Sequence, residues 1–309
     1  MPKEKELHYF DEKIKNRSSI MSKLRGKRAM DERWRRQIRR QVGRYGKKFS
    51  LRNVMWDLNY FFRPYSDEWY ASLFRQGRGK LTGEATPDYS IIDRDAIAHV
   101  HEIMPEAKII FMMRNPVERT WSQALMDFRR GLAAEATQEK DFLRHFDSKR
   151  PRLFSDYLRT LENWGTFFAE EQIFVGFLED IHFYPNRLLK RLYRFLGART
   201  DIDYKVIKRK VHSRNVETMP TRLASHLART YHEDLRRLDE RFGGYASFWL
   251  YCAERLVEDP PAGERIAYPL WESSLWEEWV GLRRGDGPAP GSREAEIQSG
   301  PLSSIGAVK

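Results

Sequence analysis

Hydrophobic positions in this chain fall into short unbroken runs and longer segments with helical spacing. The runs at residues 109–113 and 173–178 have the length of strands and contain no polar side chain, a pattern typical of strands buried on both faces of a parallel sheet. Each run is followed by apolar residues at intervals of three and four, which is the spacing of one helix face. This order predicts an α/β fold in which crossover helices connect parallel strands.

Periodicity and turn residues predict the other elements. A further strand is expected at residues 81–84, where a Thr-Pro pair follows closely. The polar stretch at residues 132–152 gives no signal for a regular element. Additional helices are predicted at residues 29–45, 66–74, 92–103, 157–168, 185–196 and 223–242.

Arg114 directly follows the first apolar run, and the next residues start a helix. Asn115 suits the N-cap, Pro116 the first helical position and Gly131 the end of the helix. A guanidinium at the end of a buried strand then lies beside free backbone N–H groups and the positive end of a helix dipole, a combination that binds anions. The spacing alone leaves two interpretations open: an anion site, or an arginine that pairs with a carboxylate.

The composition supports a folded protein, and the charge is concentrated at one end. The 309 residues are 41% hydrophobic and 13% aromatic, enough for one large α/β domain or two small ones. Residues 1–50 contain 17 Lys and Arg against 6 Asp and Glu, a net charge of +11, whereas the rest of the chain contains 38 of each. Residues 12–50 are interpreted as a solvated insertion whose helix packs by one narrow apolar stripe. The alternative is a clamp for an anionic acceptor, a membrane surface or nucleic acid.

Other features limit the class of protein. The single cysteine, Cys252, excludes an internal disulfide framework and fits a reducing compartment, so we predict a cytoplasmic protein with Cys252 in its core. No apolar run approaches the ~20 residues of a membrane span. No set of His, Cys and carboxylate residues has metal-ligand spacing, and no nucleic-acid-binding motif is present. We therefore expect no metal and no nucleic-acid partner, and the oligomeric state stays open.

The string that begins at Arg114 resembles a known motif. Arg-Asn-Pro-Val-Glu-Arg at residues 114–119, with Ser122 two turns into the helix, is similar to the 3′-phosphate-binding motif of sulfotransferases. That family uses 3′-phosphoadenosine 5′-phosphosulfate (PAPS). The resemblance covers about residues 4–250 and implies that Arg114 and Ser122 hold the 3′-phosphate, with Arg119 structural. It also implies a three-layer α/β sandwich around a central parallel sheet, similar to P-loop nucleotide kinases.

A second string lies near the amino terminus. Lys-Glu-Leu-His-Tyr-Phe-Asp at residues 5–11 places Glu6 and His8 two residues apart, which on a strand would share a face. Taken alone, the pattern is more typical of a surface pair. The string is similar to a segment of glycosaminoglycan-type and related bacterial sulfotransferases in which the Glu acts on the acceptor hydroxyl. The resemblance implies that Glu6 is the general base and His8 its partner, with Asp11 a further candidate in the acceptor region.

Two weaker strings add to the resemblance. Gly-Glu-Ala-Thr-Pro-Asp-Tyr at residues 83–89 is sulfotransferase-like, and Glu84 would be a structural carboxylate there. Ala85 stands where glycosaminoglycan-type relatives often have Lys, which weakens the case for a glycosaminoglycan acceptor. The basic stretch at residues 208–215 is similar to a loop that closes over the nucleotide, and this implies that Ser213 and Arg214 contact the 3′-phosphate.

One family feature is missing from the sequence. Sulfotransferases carry a strand, a glycine-containing phosphate loop with Lys, and a helix before the segment that resembles residues 5–11. Here only residues 1–4 precede it, and no other stretch has the G-x-x-x-x-G-K spacing after a buried strand. We expect either a fragment or a misplaced start, or a natural form without this half of the nucleotide site.

The predicted function is sulfuryl transfer from PAPS to a hydroxyl or amine of a carbohydrate or small-molecule acceptor, including anionic ones. The alternative is a non-catalytic or truncated family member that binds nucleotide or polyanions through Arg114 and the basic amino-terminal segment. The predicted organisation is a sulfotransferase-like domain at residues 1–255 with a basic helical insertion at 12–60, a Trp-rich arm at 256–284 and a flexible tail at 285–309.

Overall fold

The chain forms two compact units, Met1–Pro105 and Glu106–Lys309. Ser213, Arg214 and Gly131 lie outside the described residues, so their predicted roles stay predictions. Within the described ranges, every helix is too short or too polar to cross a bilayer. The computed structural model describes residues 4, 6–11, 24–26, 29–45, 50–129, 138–201 and 217–286.

Helices and aromatic side chains make up most of the first unit. Ser66 caps the third helix, because its side chain accepts a hydrogen bond from the backbone N–H of Trp69 at 3.1 Å. Trp69 and Tyr70 are buried in this helix. The helices include α1 (Ala29–Tyr45), α2 (Leu51–Phe62), α3 (Asp67–Ser72) and α4 (Arg94–Ile103), with short 3₁₀ turns at Arg75–Gly77 and Pro87–Ile91.

The strand predicted at residues 81–84 is wrong. Residues 81–86 have no regular secondary structure, and the described part of the first unit contains no strand. A β-strand needs a neighbouring strand for its backbone hydrogen bonds. A short pattern bounded by turn residues cannot supply that neighbour, so the segment stays irregular.

The second unit mixes helices with two small sheets. The helix Glu139–Phe146 and the start of the helix Lys149–Ser155 lie in the polar stretch where the sequence gives no signal, and fully buried Phe146 anchors the first of them in the core. The helices are α5 (Pro116–Arg129), α6 (Glu139–Phe146), α7 (Lys149–Ser155), α8 (Tyr157–Gly165), α9 (Leu178–Phe183), α10 (Pro185–Phe195), α11 (Thr221–Phe242), α12 (Tyr245–Glu258) and α13 (Ser274–Asp286), and the strands are β1 (Ile109–Met113), β2 (Ile173–Phe177), β3 (Glu217–Pro220) and β4 (Arg265–Tyr268).

Strands β1 and β2 pair in parallel, with Ile109 opposite Ile173 and Met113 opposite Phe177. The predicted mixed α/β class and parallel pairing are therefore confirmed, while the P-loop-like three-layer sandwich stays a prediction. Gly176 on β2 leaves room for the Met112 side chain, since a Cβ there would lie 2.7 Å from the Met112 sulfur and would require this flexible side chain to move.

The expectation that β1 is buried on both faces is wrong. Ile110 is 43% exposed, whereas Met113 at the end of the strand is completely buried. The parallel sheet has two strands within the described residues, and the face that carries Ile110 is not fully covered. The apolar run identified the strand correctly, but an apolar run of five residues does not show whether one or both faces of the strand are covered.

A second sheet, which the sequence did not predict, pairs β3 with β4 in antiparallel register. Glu217 lies opposite Tyr268, and Pro220 opposite Arg265. Immediately after β3, the backbone N–H of Thr221 donates to the carbonyl of Glu264 at 2.9 Å. This pairing fixes the position of Tyr268 at the end of β4.

The core of the second unit is a pair of long helices. Leu227 and Leu235 on α11 are completely buried, as the helical periodicity predicts. The turn to α12 passes through Gly243 and Gly244, both at φ +57°, a left-handed conformation that suits glycine. On the far side of α12, Phe248 packs edge-on against Trp276, with ring centroids 4.9 Å apart.

The buried face of α11 should carry much of the stability. We expect Leu227→Ala to lower the free energy of unfolding by ~2–5 kcal/mol, because truncation removes apolar contacts and leaves a cavity. Leu282→Ala is the matched control, since Leu282 is 62% exposed. Denaturant titration of both variants checks this, and an equal loss in the two would contradict the described core.

Candidate functional site

The junction between β1 and α5 is built by three consecutive residues. After Arg114, the side-chain oxygen of Asn115 accepts a hydrogen bond from the backbone N–H of Val117 at 3.0 Å, and its carbonyl accepts from the N–H of Arg119 at 2.8 Å. Pro116 is the first helical residue. The predicted cap is therefore formed, and Arg114 lies between the carboxyl end of a strand and the amino terminus of a helix.

The Arg114 side chain is held by a buried carboxylate. Its Nε donates to Oε2 of Glu118 at 3.1 Å, and the other oxygen of Glu118 accepts from the backbone N–H of Leu270 at 2.8 Å. Burial lowers the pKa of Arg114, but the charge of Glu118, the Tyr268 phenol and the hydrogen bonds to both together outweigh that effect, and the pKa lies above its usual value. The guanidinium is thus charged and fixed in orientation.

Tyr268 connects the two residues that the sequence assigned to phosphate binding. Its phenol oxygen accepts a hydrogen bond from Nη2 of Arg114, and the guanidinium lies over its ring, 4.9 Å from the centroid. Burial raises the pKa of the Tyr268 phenol, and the charge of Arg114 and the nearby Ser122 hydroxyl oppose that rise. Arg114 and Ser122 therefore both lie beside the hydroxyl of Tyr268.

This cluster offers several donors to an anion. Among the described residues, hydrogen bonds engage Nε and Nη2 of Arg114 and leave Nη1 for a ligand. The Arg114 side chain is 23% exposed, and Ser122 is partly exposed. A guanidinium, two hydroxyls and a helix amino terminus at the carboxyl edge of parallel strands can bind a phosphate or sulfate group.

Arg119 has a structural role, as the sequence predicted. Its Nη1 donates to the carbonyl of Pro151 at 3.2 Å, and its Nη2 donates to the side chain of Gln123 at 2.6 Å. The guanidinium also lies 4.7 Å from the ring centroid of Phe154. These contacts join α5 to α7 and direct the charge away from Arg114.

A second buried carboxyl group, Glu179, lies close enough to Glu118 for the charge of Glu118 to affect its pKa. One oxygen of Glu179 accepts a hydrogen bond from the indole N–H of Trp249 at 2.6 Å, and the other has no partner among the described residues. Burial, reinforced by the charge of Glu118, raises the pKa of Glu179 to about 8. Glu179 is therefore protonated at neutral pH.

In the first unit, Glu6 and His8 lie together as predicted, although not on a strand. Residues 6–9 have no regular secondary structure, and His8 has a left-handed backbone with φ +56°, an uncommon conformation outside glycine. Nδ1 of His8 lies 2.6 Å from Oδ2 of Asp11, and Nε2 lies 3.6 Å from Oε2 of Glu6. With its proton on Nδ1, the ring donates to Asp11 and turns Nε2 toward Glu6.

Glu84 fixes the backbone that carries these side chains. Oε2 of Glu84 accepts a hydrogen bond from the N–H of Leu7 at 3.0 Å. Oε1 accepts from the hydroxyl of Tyr89 at 3.1 Å, and that hydroxyl in turn accepts from the N–H of Tyr9 at 2.8 Å. The expected structural role of Glu84 is thus visible in its contacts: it holds the segment on both sides of His8.

Asp88 adds a further carboxylate beside His8. Its Oδ2 lies 3.9 Å from Nδ1 of His8, and ligand atoms of His8, Asp11 and Asp88 lie within 4.8 Å of one another. These three groups could hold a cation, at the expense of the hydrogen bond between His8 and Asp11. The spacing in the sequence gives no such signal, because Asp88 is 80 residues from His8.

Sequence reasoning also missed Tyr268. It lies 154 residues from Arg114, in a strand too short and too polar in its pattern to be recognised. The available signal was local: the short segment Arg-Ile-Ala-Tyr before a proline, in which the alternate residues Ile266 and Tyr268 are of types common in strands. Nothing in that segment indicates that it would pair near the β1–α5 junction.

Comparison with known proteins identifies relatives. Residues 8–201 match the family described as the Sulfotransferase family. The structure is similar to the crystal structure of a sulfotransferase from Alicyclobacillus acidocaldarius, with a TM-score of 0.50 and 20% sequence identity over 77% of this chain and 83% of that one. At this identity, the likeness concerns the fold alone. No curated protein matches the chain significantly.

The raised pKa of Glu179 makes stability depend on pH. The folded state holds this proton more tightly than the unfolded state, so the stabilisation is complete below about pH 4.5 and is lost as the pH rises toward about 8. We expect the free energy of unfolding of Glu179→Gln, followed by thermal unfolding, to equal that of the wild type near pH 4. Near pH 9 it should exceed the wild-type value by on the order of a few kcal/mol.

A matched control is Glu171→Gln, since the side chain of Glu171 is exposed beside the start of β2. It should follow the wild-type profile across the whole range. A constant difference between Glu179→Gln and the wild type at all pH values would contradict a protonated, buried Glu179.

Proposed function

Because the chain belongs to the Sulfotransferase family, we propose that it transfers a sulfuryl group from PAPS to a hydroxyl or amine of a carbohydrate or small-molecule acceptor. The observation that carries this proposal is the position of Arg114 at the amino terminus of α5, where its guanidinium is fixed by Glu118 and Tyr268 and Ser122 lies near the same phenol. Both residues belong to the string that resembles the 3′-phosphate motif of the family.

In this proposal, Arg114 and Ser122 bind the 3′-phosphate of the nucleotide. Glu118 keeps the guanidinium charged and fixes its orientation. The phenol of Tyr268 either donates a hydrogen bond to the phosphate or is displaced from Arg114 by it. The bound phosphate would be held by charge-assisted hydrogen bonds in a partly buried site, where such bonds are strong. Ser213 and Arg214 are proposed to add contacts from the stretch that resembles the closing loop.

Glu6 and His8 are proposed to act on the acceptor. The acceptor oxygen forms a bond to sulfur while the bond between sulfur and the bridging oxygen of the 5′-phosphate breaks. The acceptor proton passes to Glu6, and the nucleotide leaves as 3′-phosphoadenosine 5′-phosphate. His8, oriented by Asp11 at 2.6 Å from its Nδ1, turns Nε2 toward Glu6 and can take the proton onward from the Glu6 carboxyl.

The acceptor class and the location are part of the same proposal. Ala85 replaces the Lys that glycosaminoglycan-type relatives often carry, which favours an acceptor other than a glycosaminoglycan. Cys252 is completely buried and free, which is consistent with the proposed cytoplasmic location.

A second candidate is anion binding without turnover. The observation that favours it is the net charge of +11 in residues 1–50, which attracts anions whether or not an acceptor is sulfated. In that case the chain would bind nucleotides or polyanions through Arg114 and the basic amino-terminal segment, and no acceptor would be sulfated.

Transfer of a radiolabelled sulfuryl group from PAPS to a panel of acceptors tests the proposal. We expect turnover by the wild type and a loss of about 10²–10⁴-fold in Glu6→Gln, because general base catalysis contributes that much. His8→Gln should also lose activity, while Glu102→Gln, which alters an exposed carboxylate on α4, should retain it.

Two results would contradict this assignment. Full activity of both Glu6→Gln and His8→Gln would contradict the proposed roles of Glu6 and His8 in deprotonating the acceptor. Nucleotide binding without transfer to any acceptor would favour the second candidate.

A further inference from the structure

Helix α2 carries an exposed apolar stripe. Leu51, Met55, Leu58 and Phe62 are 67%, 61%, 49% and 41% exposed. At 100° per residue, these four positions fall within an arc of about 60° and extend roughly 16 Å along the helix. An ordered row of four large apolar side chains is unlike the scattered exposed residues that are normal on protein surfaces.

The opposite face of α2 is already used. Trp56, Tyr60 and Phe61 are buried, and the indole N–H of Trp56 donates to the carbonyl of Leu73 at 3.0 Å. The helix therefore packs in the first unit by one face and presents Leu51, Met55 and Leu58 outward, while the ring of Phe62 also contacts that of buried Trp34 on α1, with centroids 6.0 Å apart. A helix that is apolar on both faces is normally covered on both, so the outer face fits a second apolar environment.

Positive charge precedes this helix in the sequence, and exposed arginines lie near both of its ends. Residues 1–50 hold a net charge of +11 directly before α2, while the rest of the chain is neutral. Arg52 and Arg63 lie at the two ends of the stripe, and both are exposed. On the preceding helix α1, Arg36, Arg39 and Arg40 have exposed side chains as well.

We propose that α2 is a docking helix for the surface of an anionic lipid bilayer. The four apolar side chains would enter the boundary between head groups and acyl chains, and the surrounding arginines would contact lipid phosphates. A single row of side chains is far below the ~800 Å² per partner that a specific protein interface buries. A lipid surface needs no complementary partner shape, and its negative charge complements the basic segment.

Sedimentation with lipid vesicles tests this proposal on the full chain. We expect binding to vesicles of phosphatidylcholine mixed with phosphatidylglycerol, and weak binding to phosphatidylcholine alone. Added salt should weaken the binding by screening. The double variant Met55→Glu and Leu58→Glu should lower the affinity on the order of tenfold or more, because two inserted apolar side chains become charged.

Leu81→Glu is the matched control, since Leu81 is 62% exposed in the same unit but outside α2; it should bind vesicles as the wild type does. Circular dichroism of each variant verifies that the exposed substitutions leave the fold intact. The proposal is overturned if the wild type binds neither vesicle, or if the double variant binds as well as the wild type. Concentration-dependent self-association that the double variant abolishes would instead identify a second copy of the chain as the occupant.

Discussion

The buried pair of Arg114 and Glu118 is the interaction on which the candidate site depends. Burying two charges is expensive unless further hydrogen bonds satisfy them, and here those bonds come from Tyr268 and from the backbone of Leu270. The pair therefore joins the end of β1, the first turn of α5 and the segment after β4. Because these parts are held by one guanidinium and one carboxylate, the same contacts that stabilise the fold also present Arg114 to a ligand.

A single carboxylate has a comparable place in the first unit. Glu84 holds the backbone of Leu7 directly and that of Tyr9 through the Tyr89 hydroxyl. This support lets His8 keep an uncommon backbone conformation, since local strain persists only where the surroundings determine the structure. In both units, a sulfotransferase-like string thus supplies a carboxylate that positions other residues.

Local features of the site could be predicted from the sequence. Asn115 and Pro116 define a helix start through their own side chains, and the apolar run before Arg114 defines a strand. The contacts of Tyr268 could not be predicted, because they depend on pairing between β3 and β4 and on a separation of 154 residues. The strand expected at residues 81–84 failed for the same physical reason, since a strand exists only where a second one meets it.

The central claim is that Arg114 and Ser122 bind the 3′-phosphate of a nucleotide. Calorimetric titration with 3′-phosphoadenosine 5′-phosphate and with adenosine 5′-phosphate tests it directly, using Ser122→Ala, Arg114→Lys and, as a control, Arg229→Ala on the exposed face of α11. The account predicts about tenfold or stronger preference for the 3′-phosphate in the wild type and in Arg229→Ala, and its loss in the other two variants. Equal binding of both nucleotides, or an unchanged preference in Ser122→Ala and Arg114→Lys, would contradict it.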